Sequence, residues 1–584
     1  MGSVGELNDC SPQHHKWWKN GTVYQIYPAS FKDSNDDGIG DIPGITSKLD
    51  YITSLGVDIV WVCPMFDSPQ IDMGYDVSNY EKVYPPYGTV EDMQTLIDEC
   101  HSRNMRIILD LVVNHTSDQH EWFKESRSSK SNPKRDWYIW RPAKYDDQGH
   151  RVPPNNWRAM FTGSAWTWDE HTQEYYLHLF ASEQPDLNWE SSECRKAIYE
   201  SAMEFWLRKG VDGFRIDCVN MYSKGDLNDA PITEPDRDTQ NAGLVWCNGP
   251  RMDEYLDEMN AVLSKYDAMS VGECPFTPDT DKVISYVSAA NKRLNMVFQF
   301  DVVEVGSSHA SKFESKPAED WLLDFQAAVT RTQQLISGTD AWTTAFTENH
   351  DWSRSISRFG SDKPEFRVAA GKMLALMLST LSGTLFIYQG QELGMVNAPL
   401  SWPIEEYKDL DAASYYSQVF RNTNGDPTAL AEAKDAIQFI ARDNARTPMQ
   451  WNSNTNAGFS NAKPWMRVHD NFHELNAELE EKDERSVLAF WKMMLRLRKV
   501  HADLFIHGDF EPLGKPNTKT FTYSKSWEGQ SALIMLNFTS EAQPLEMLSG
   551  FGKVELLIST ADDVGNNLAP FEGRIYLAAS RPHL

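Results

Sequence analysis

Eight short runs of β-branched and aromatic residues, each ending on a polar or loop-forming segment, punctuate the first two-thirds of this chain. They cover 23–27, 58–63, 106–113, 213–217, 269–273, 296–300, 342–346 and 384–388. Amphipathic stretches such as 90–103 and 195–208 separate most of them, and strand–helix alternation implies a parallel sheet. Eight such units predict an α/β fold of the (β/α)8 TIM-barrel type, which gathers the residues at its strand ends on one face.

The interval from the third run to the fourth is much longer than the rest, and 137–189 within it is rich in Pro, Asn, Gly and Trp. An excursion of that length is not a bare loop. It predicts an inserted subdomain over 117–188, dividing the barrel into 1–116 and 189–510. Beyond a helix-like segment at 486–499 the pattern changes to short alternating stretches at 520–524, 532–538, 554–558 and 574–578. That predicts a C-terminal antiparallel β domain over 511–584.

The 584 residues carry 84 acidic against 55 basic side chains, a formal net charge of -29, which argues against nucleic acid and anionic membranes as partners. A neutral small molecule suits that balance, and 20 Trp, 22 Tyr and 27 Phe supply flat apolar faces of the kind sugar rings pack on. The seven cysteines are scattered without paired spacing, as in a reduced, cytoplasmic protein. The first twenty residues lack the apolar core of a secretory signal. The longest apolar region, 373–388, is broken by Ser379, Thr380, Ser382, Gly383 and Thr384, too polar for a membrane span. It reads as a buried helix running into a strand. A monomer or weak homo-oligomer is expected.

Three runs end on an acid or lead into an acid-containing polar cluster. In Gly213-Phe-Arg-Ile-Asp217, period-two alternation puts Arg215 and Asp217 on one face, so the cation can keep Asp217 ionised, as a nucleophile requires. Glu273 follows Ser-Val-Gly with no basic residue behind it, and a carboxyl so placed can stay protonated as a general acid. Asp351 lies in Glu348-Asn-His-Asp351, and His115 closes Asp110-Leu-Val-Val-Asn-His115. Two carboxyls in different protonation states, with a third to orient the ring or offset charge, are what glycoside cleavage needs.

The segments DLVVNH, GFRID, the Glu273 strand and ENHD, in this order, resemble the four signature regions of the α-amylase family of glycoside hydrolases. Gln184-Pro-Asp-Leu-Asn-Trp189 is similar to the version in oligo-1,6-glucosidases and α-glucosidases rather than in endo-acting amylases. The resemblance spans nearly the whole chain. It implies that Asp217 is the nucleophile, Glu273 the acid/base and Asp351 the transition-state stabiliser. It further implies that Asp72, Tyr75, His115, Phe180, Arg215, His350 and Arg446 surround a terminal glucose, with an Asp72–Arg446 pair walling off its non-reducing end.

The resemblance therefore points to an exo-acting retaining α-glucosidase acting on maltose and short α-glucosides, with transglucosylation at high sugar. An oligo-1,6-glucosidase, or a transglucosylase or isomerase using the same covalent intermediate, is the alternative. A non-catalytic binding protein of this fold would lack the three acids. Cys218 replaces the Val, Thr or Ala found after the nucleophile in relatives, leaving linkage preference open, and Met160 and Trp352 are expected to form an apolar acceptor platform. In the segment 33–41, oxygen-bearing side chains stand at alternate positions, with glycines at 38 and 40 for tight turning, which suits a hard cation, calcium or magnesium. Asp33, Asn35, Asp37 and Asp41, with the backbone of Ile39 as in the resembled family, are the expected ligands of a structural Ca2+.

Overall fold

The computed structural model of the chain describes residues 16–161, 163–307, 312–314, 319–545 and 553–579. Its centre is a parallel sheet of eight strands: β1 (Thr22–Ile26), β2 (Ile59–Val62), β3 (Arg106–Leu111), β4 (Gly213–Ile216), β5 (Met269–Glu273), β6 (Met296–Phe298), β7 (Thr344–Ala345) and β8 (Thr384–Tyr388). They follow one another in the order β6-β5-β4-β3-β2-β1-β8-β7, every ladder parallel. The barrel closes where β6 meets β7 without a ladder, and there Thr344 Oγ1 donates to Val297 O at 3.1 Å. All eight expected strands form. The run at 342–346 shrinks to two residues because β7 has a laddered neighbour on one side alone, β8.

The local reasons are legible. Gly213 opens β4 where a Cβ would lie 2.2 Å from Met269 O, so no side chain fits. The helix Val90–Ser102 starts at a capping box: Asp92 N donates to Thr89 Oγ1 at 3.1 Å and Thr89 N to Asp92 Oδ2 at 2.8 Å. Its buried residues Met93, Leu96, Ile97 and Cys100 fall at three- and four-residue spacing, one stripe turned to the barrel. The apolar region at 373–388 becomes the end of helix Pro364–Thr380 and strand β8. Among the described residues no helix is long and apolar enough to cross a membrane.

Between β3 and β4 the chain forms the helix Glu121–Ser128 and a small antiparallel sheet, in which Glu174–Leu177 lies between Trp140–Arg141 and Trp166–Asp169. Phe123 sits against Trp140 at 5.7 Å and Tyr176 at 5.2 Å between ring centroids. The segment returns along β3, with Leu187 N donating to Asn114 O at 2.9 Å and Trp189 Nε1 to Val113 O at 2.8 Å. A second excursion, after β8, contains the helices Leu410–Asn422 and Pro427–Ile440, which the sequence reading did not mark. The C-terminal sheet is antiparallel, in the order Asp509–Pro512, Thr520–Trp527, Gln530–Asn537, Gly573–Ala579, Val554–Ser559. Its first strand straddles the expected boundary at 511.

Arg498, fully buried on helix Val487–Val500, donates to Ser379 O, Leu381 O and Gly383 O at 2.9, 2.7 and 2.6 Å. It thereby satisfies carbonyls at the end of helix Pro364–Thr380 and in the turn leading to β8. Arg498→Met should orphan them, lowering unfolding free energy by about 3 kcal/mol in denaturant titration, with a matching fall in Tm.

Candidate active site

Register on the barrel sets the centre of the site. The ladder places Arg215 of β4 beside Asp110 of β3 and Val271 of β5. The Arg215 side chain is fully buried: Nη1 donates to Asp110 Oδ1 at 2.6 Å and to Asp217 Oδ1 at 2.7 Å, while Nη2 donates to Glu273 Oε1. Ligand atoms of Asp217, Cys218 and Glu273 all lie within 4.8 Å of one another. Glu273 was expected to lack a cationic neighbour; instead it shares Arg215 with two other carboxyls, because alternation on β4 aims that guanidinium at both flanking strands.

One guanidinium cannot neutralise three carboxylates in a dry site, so the site retains protons. Burial pushes Glu273 up to about 8 against the pull of Arg215, with the charges of Asp217 and Asp351 adding to the rise. Burial also raises Asp217, to about 6, with Arg215 opposing. Asp351 behaves oppositely. Its burial is overcome by His350, Arg442 and Arg446, which hold it well below the ordinary carboxylate range.

His350 Nε2 lies 3.0 Å from Asp351 Oδ2. Its Nδ1 faces Gln25 Nε2, a pure donor, at 2.8 Å, so Nδ1 accepts and the proton sits on Nε2. Tyr75 OH lies 2.6 Å from that Nε2 and donates to Asp110 Oδ2 at 3.1 Å, which links the Asp351 end of the site to the Arg215 end. His115 Nε2 lies 2.9 Å from Tyr75 O, and its ring is 5.0 Å from Phe180. Arg215, His350 and Arg446 have almost no exposed surface, so they act chiefly by holding the groups in front of them.

The expected Asp72–Arg446 pair does not form. Asp72 Oδ1 pairs with Arg442 Nη2 at 2.9 Å, whereas Arg446 reaches Asp351 Oδ1 at 3.2 Å and Asp409 Oδ2 at 2.6 Å. Both arginines lie on one segment, and their spacing of four residues lets each touch Asp351 while only Arg442 extends to Asp72. Asp409, beneath them, accepts from both and also caps helix Leu410–Asn422. Sequence reasoning missed Arg442 and Asp409, although Arg442 stands four residues before Arg446. It also missed Phe161, whose ring lies 5.2 Å from the Arg442 guanidinium and 5.9 Å from Phe180.

On the outer side, Cys218 follows the nucleophile position in a left-handed conformation at φ 44°, its Sγ 4.0 Å from Glu273 Oε2. Met160 is 41% exposed. Trp352 is as buried as Cys218 and Glu273, with the Arg358 guanidinium 5.1 Å from its ring centroid.

In the 33–41 loop, Asp33 Oδ1 accepts from Asn35 N and Asp36 N, Asn35 Oδ1 from Asp37 N, and Asp37 Oδ1 from Ile39 N. Burial of Asp33 is outweighed by hydrogen bonds from Ser460, Gly38, Asp36 and Asn35, which hold its carboxyl below the ordinary value. Asp41 differs from the expectation. Its carboxylate is committed to Ser34 and to Gly44 N, capping the helix Ile42–Thr46. The remaining donor set, Asp33, Asn35, Asp37 and the Ile39 carbonyl, is all oxygen and fits a hard cation.

A model of the α-amylase catalytic domain matches residues 25–508. The chain belongs to the α-amylase family of glycoside hydrolases. Among its relatives, an α-glucosidase of Candida albicans is 52% identical over 96% of this chain and 99% of its own length. An oligo-1,6-glucosidase of Saccharomyces cerevisiae is 48% identical over 96% and 98%. The isomaltulose synthase SmuA of Protaminobacter rubrum is similar in structure, with TM-score 0.89 at 36% identity over 96% of this chain and 99% of that one.

The Arg442 pairs make a stability prediction with a defined sign. Against its burial, Arg442 and Arg446 hold Asp409 down at about 2, below the unfolded value, so the pairing stabilises the fold above about pH 4 and is lost as pH falls toward 2. Arg442→Met should therefore cost about 3–5 kcal/mol at pH 7, and in denaturation curves the deficit relative to the parent should persist down to about pH 4 and shrink as the pH falls from there toward 2.

Proposed function

We propose that the chain is an exo-acting, retaining α-glucosidase that releases glucose from the non-reducing end of maltose and short α-glucosides. The observation that carries this reading is the pair of strand-end carboxyls, Asp217 and Glu273, one oxygen of each lying within 4.8 Å of the other, with Glu273 raised to about 8. Inverting chemistry needs a wider gap, about 6.5–9.5 Å, to seat a water between the carboxyls. Asp217 attacks the anomeric carbon while Glu273 gives its proton to the departing glycosidic oxygen. A covalent glucosyl ester on Asp217 results. Glu273, now ionised, takes a proton from water, whose oxygen displaces Asp217 and yields α-glucose.

Asp351, kept ionised by His350 and the two arginines, binds ring hydroxyls and offsets oxocarbenium charge. The Asp72–Arg442 pair, with Phe161 and Phe180 beside it, ends the pocket at the non-reducing side. That end supports exo action. A sugar hydroxyl can replace water in the second step, giving transglucosylation, and the likeness to SmuA, named an isomaltulose synthase, supports that capacity. Oligo-1,6-glucosidase action is the second reading, favoured by the Saccharomyces relative. The six described cysteines are free and buried, which supports a cytoplasmic setting, with a monomer or weak homo-oligomer.

The test is product analysis by NMR during cleavage of maltose and isomaltose. α-Glucose forming first, and lost on Asp217→Ala, is expected; β-glucose first would overturn the retaining reading. With maltose, kcat/KM should trace a bell. Its acid limb near pH 6 reports loss of the ionised nucleophile, and its basic limb near pH 8 loss of the proton on Glu273.

The 33–41 loop, on this reading, holds one calcium through Asp33, Asn35, Asp37 and the Ile39 carbonyl, with Asp41 through water. It would stiffen the β1 exit and take no part in bond cleavage. Chelation should lower Tm and added Ca2+ restore it, while kcat of the still-folded enzyme stays unchanged. Elemental analysis that finds no bound calcium would remove the ion from the account.

A further inference from the structure

We propose that Asn220 is a positioning residue that fixes the Glu273 carboxyl against Asp217 by pinning the turn after β5 to the turn after β4. The proposal rests on the reading of Glu273 as the general acid. Both turns are strained. Cys218, one residue past Asp217, has φ 44°, and Phe276, three past Glu273, has φ 51°. A bulky residue in the left-handed region is costly, and the conformation persists only where surrounding bonds impose it.

Asn220 supplies those bonds. It is fully buried, and its Nδ2 donates to Pro275 O at 2.7 Å and Thr277 Oγ1 at 2.9 Å, spanning Phe276. Thr277 Oγ1 donates onward to Pro275 O at 2.9 Å and accepts from Asn248 Nδ2 at 2.9 Å, while Asn248 N donates to Asn220 O at 2.7 Å. The Asn220 Oδ1 atom has no partner. Its amide is thus oriented for its two donors.

The two carboxyls do not depend on this clamp equally. Arg215 grips both carboxylates, so the difference lies in the backbone: Asp217 is held without the clamp, since its N donates to Leu111 O at 3.0 Å and Tyr222 OH donates to its carbonyl at 3.0 Å. Glu273 ends its strand, and the next backbone tie, Cys274 N to Phe298 O, is long at 3.3 Å. Past that point the segment is carried by Asn220 and Asn248. Removing the clamp lets the Phe276 turn relax and moves Glu273, the group that must deliver a proton, more than it moves the nucleophile.

The test compares two substrates. Maltose needs a proton on its leaving oxygen; α-glucosyl fluoride does not, because fluoride departs without one. Asn220→Ala should lower kcat/KM for maltose by about 10²-fold, the cost of a misplaced catalytic group, yet change it less than about threefold for the fluoride, within the scatter of such comparisons. Thr277→Val, which keeps the side-chain volume and removes the hydroxyl, should give the same signature, and the double variant should lose little more than either single one. It also carries the test if Asn220→Ala does not fold. Equal losses on both substrates would overturn the proposal. Glu273→Ala separates the two levels: if it spares the fluoride while the Asn220 and Thr277 variants do not, the clamp fails alone; if it harms both substrates equally, the acid assignment fails and the clamp with it.

Discussion

The sharing of one guanidinium by three buried carboxyls governs this site. Arg215 touches Asp110, Asp217 and Glu273 at once, and each comes from a different strand of the barrel. With every carboxyl ionised, the cluster would hold excess negative charge in a place where little of its surface meets water. The less expensive state keeps a proton, and it falls on Glu273, which is raised furthest of the three. On the proposed reading, the barrel produces an acid beside a nucleophile by supplying too few cations. A second arginine there would ionise Glu273 and remove the proton that bond cleavage requires.

Asp351 shows the complementary case on the same rim. There, three carboxyls, Asp72, Asp351 and Asp409, meet two arginines and a histidine. Positive charge is nearly sufficient, and Asp351 stays ionised although buried. The two ends are connected through Tyr75, so the separation of protonated from ionised carboxyl is set within one hydrogen-bonded array.

Barrel strands and acids were legible because both rest on local rules. Period-two alternation put Arg215 and Asp217 on one face, and the run lengths marked all eight strands. What escaped the sequence is what depends on packing between distant segments. Arg442 and Arg446 are interchangeable in a sequence pattern, and only the helical turn between them decides which reaches Asp72. Asp409 looks like an ordinary helix cap, which it also is. The approach of Arg215 to Glu273 follows from ladder register, and the burial of Trp352 from Arg358 lying against its ring; neither has a sequence signature.

The two sides of the site differ in how firmly they are determined. The pocket for the terminal sugar is built of groups with several partners each, so any change there disturbs charge balance as well as shape. The side assigned above to the leaving group carries an exposed Met160, the Cys218 thiol and turn residues such as Phe276. Met160 can be altered without disturbing the charge balance around Arg215, whereas Cys218 lies against Glu273. In the proposed mechanism a sugar acceptor and a water would compete for the same glucosyl ester on that side, and apolar contact and shape would decide their relative access. Linkage choice and transfer are thus separable from cleavage itself, which is why a common fold can underlie relatives named for α-glucosidase, oligo-1,6-glucosidase and isomaltulose synthase activity.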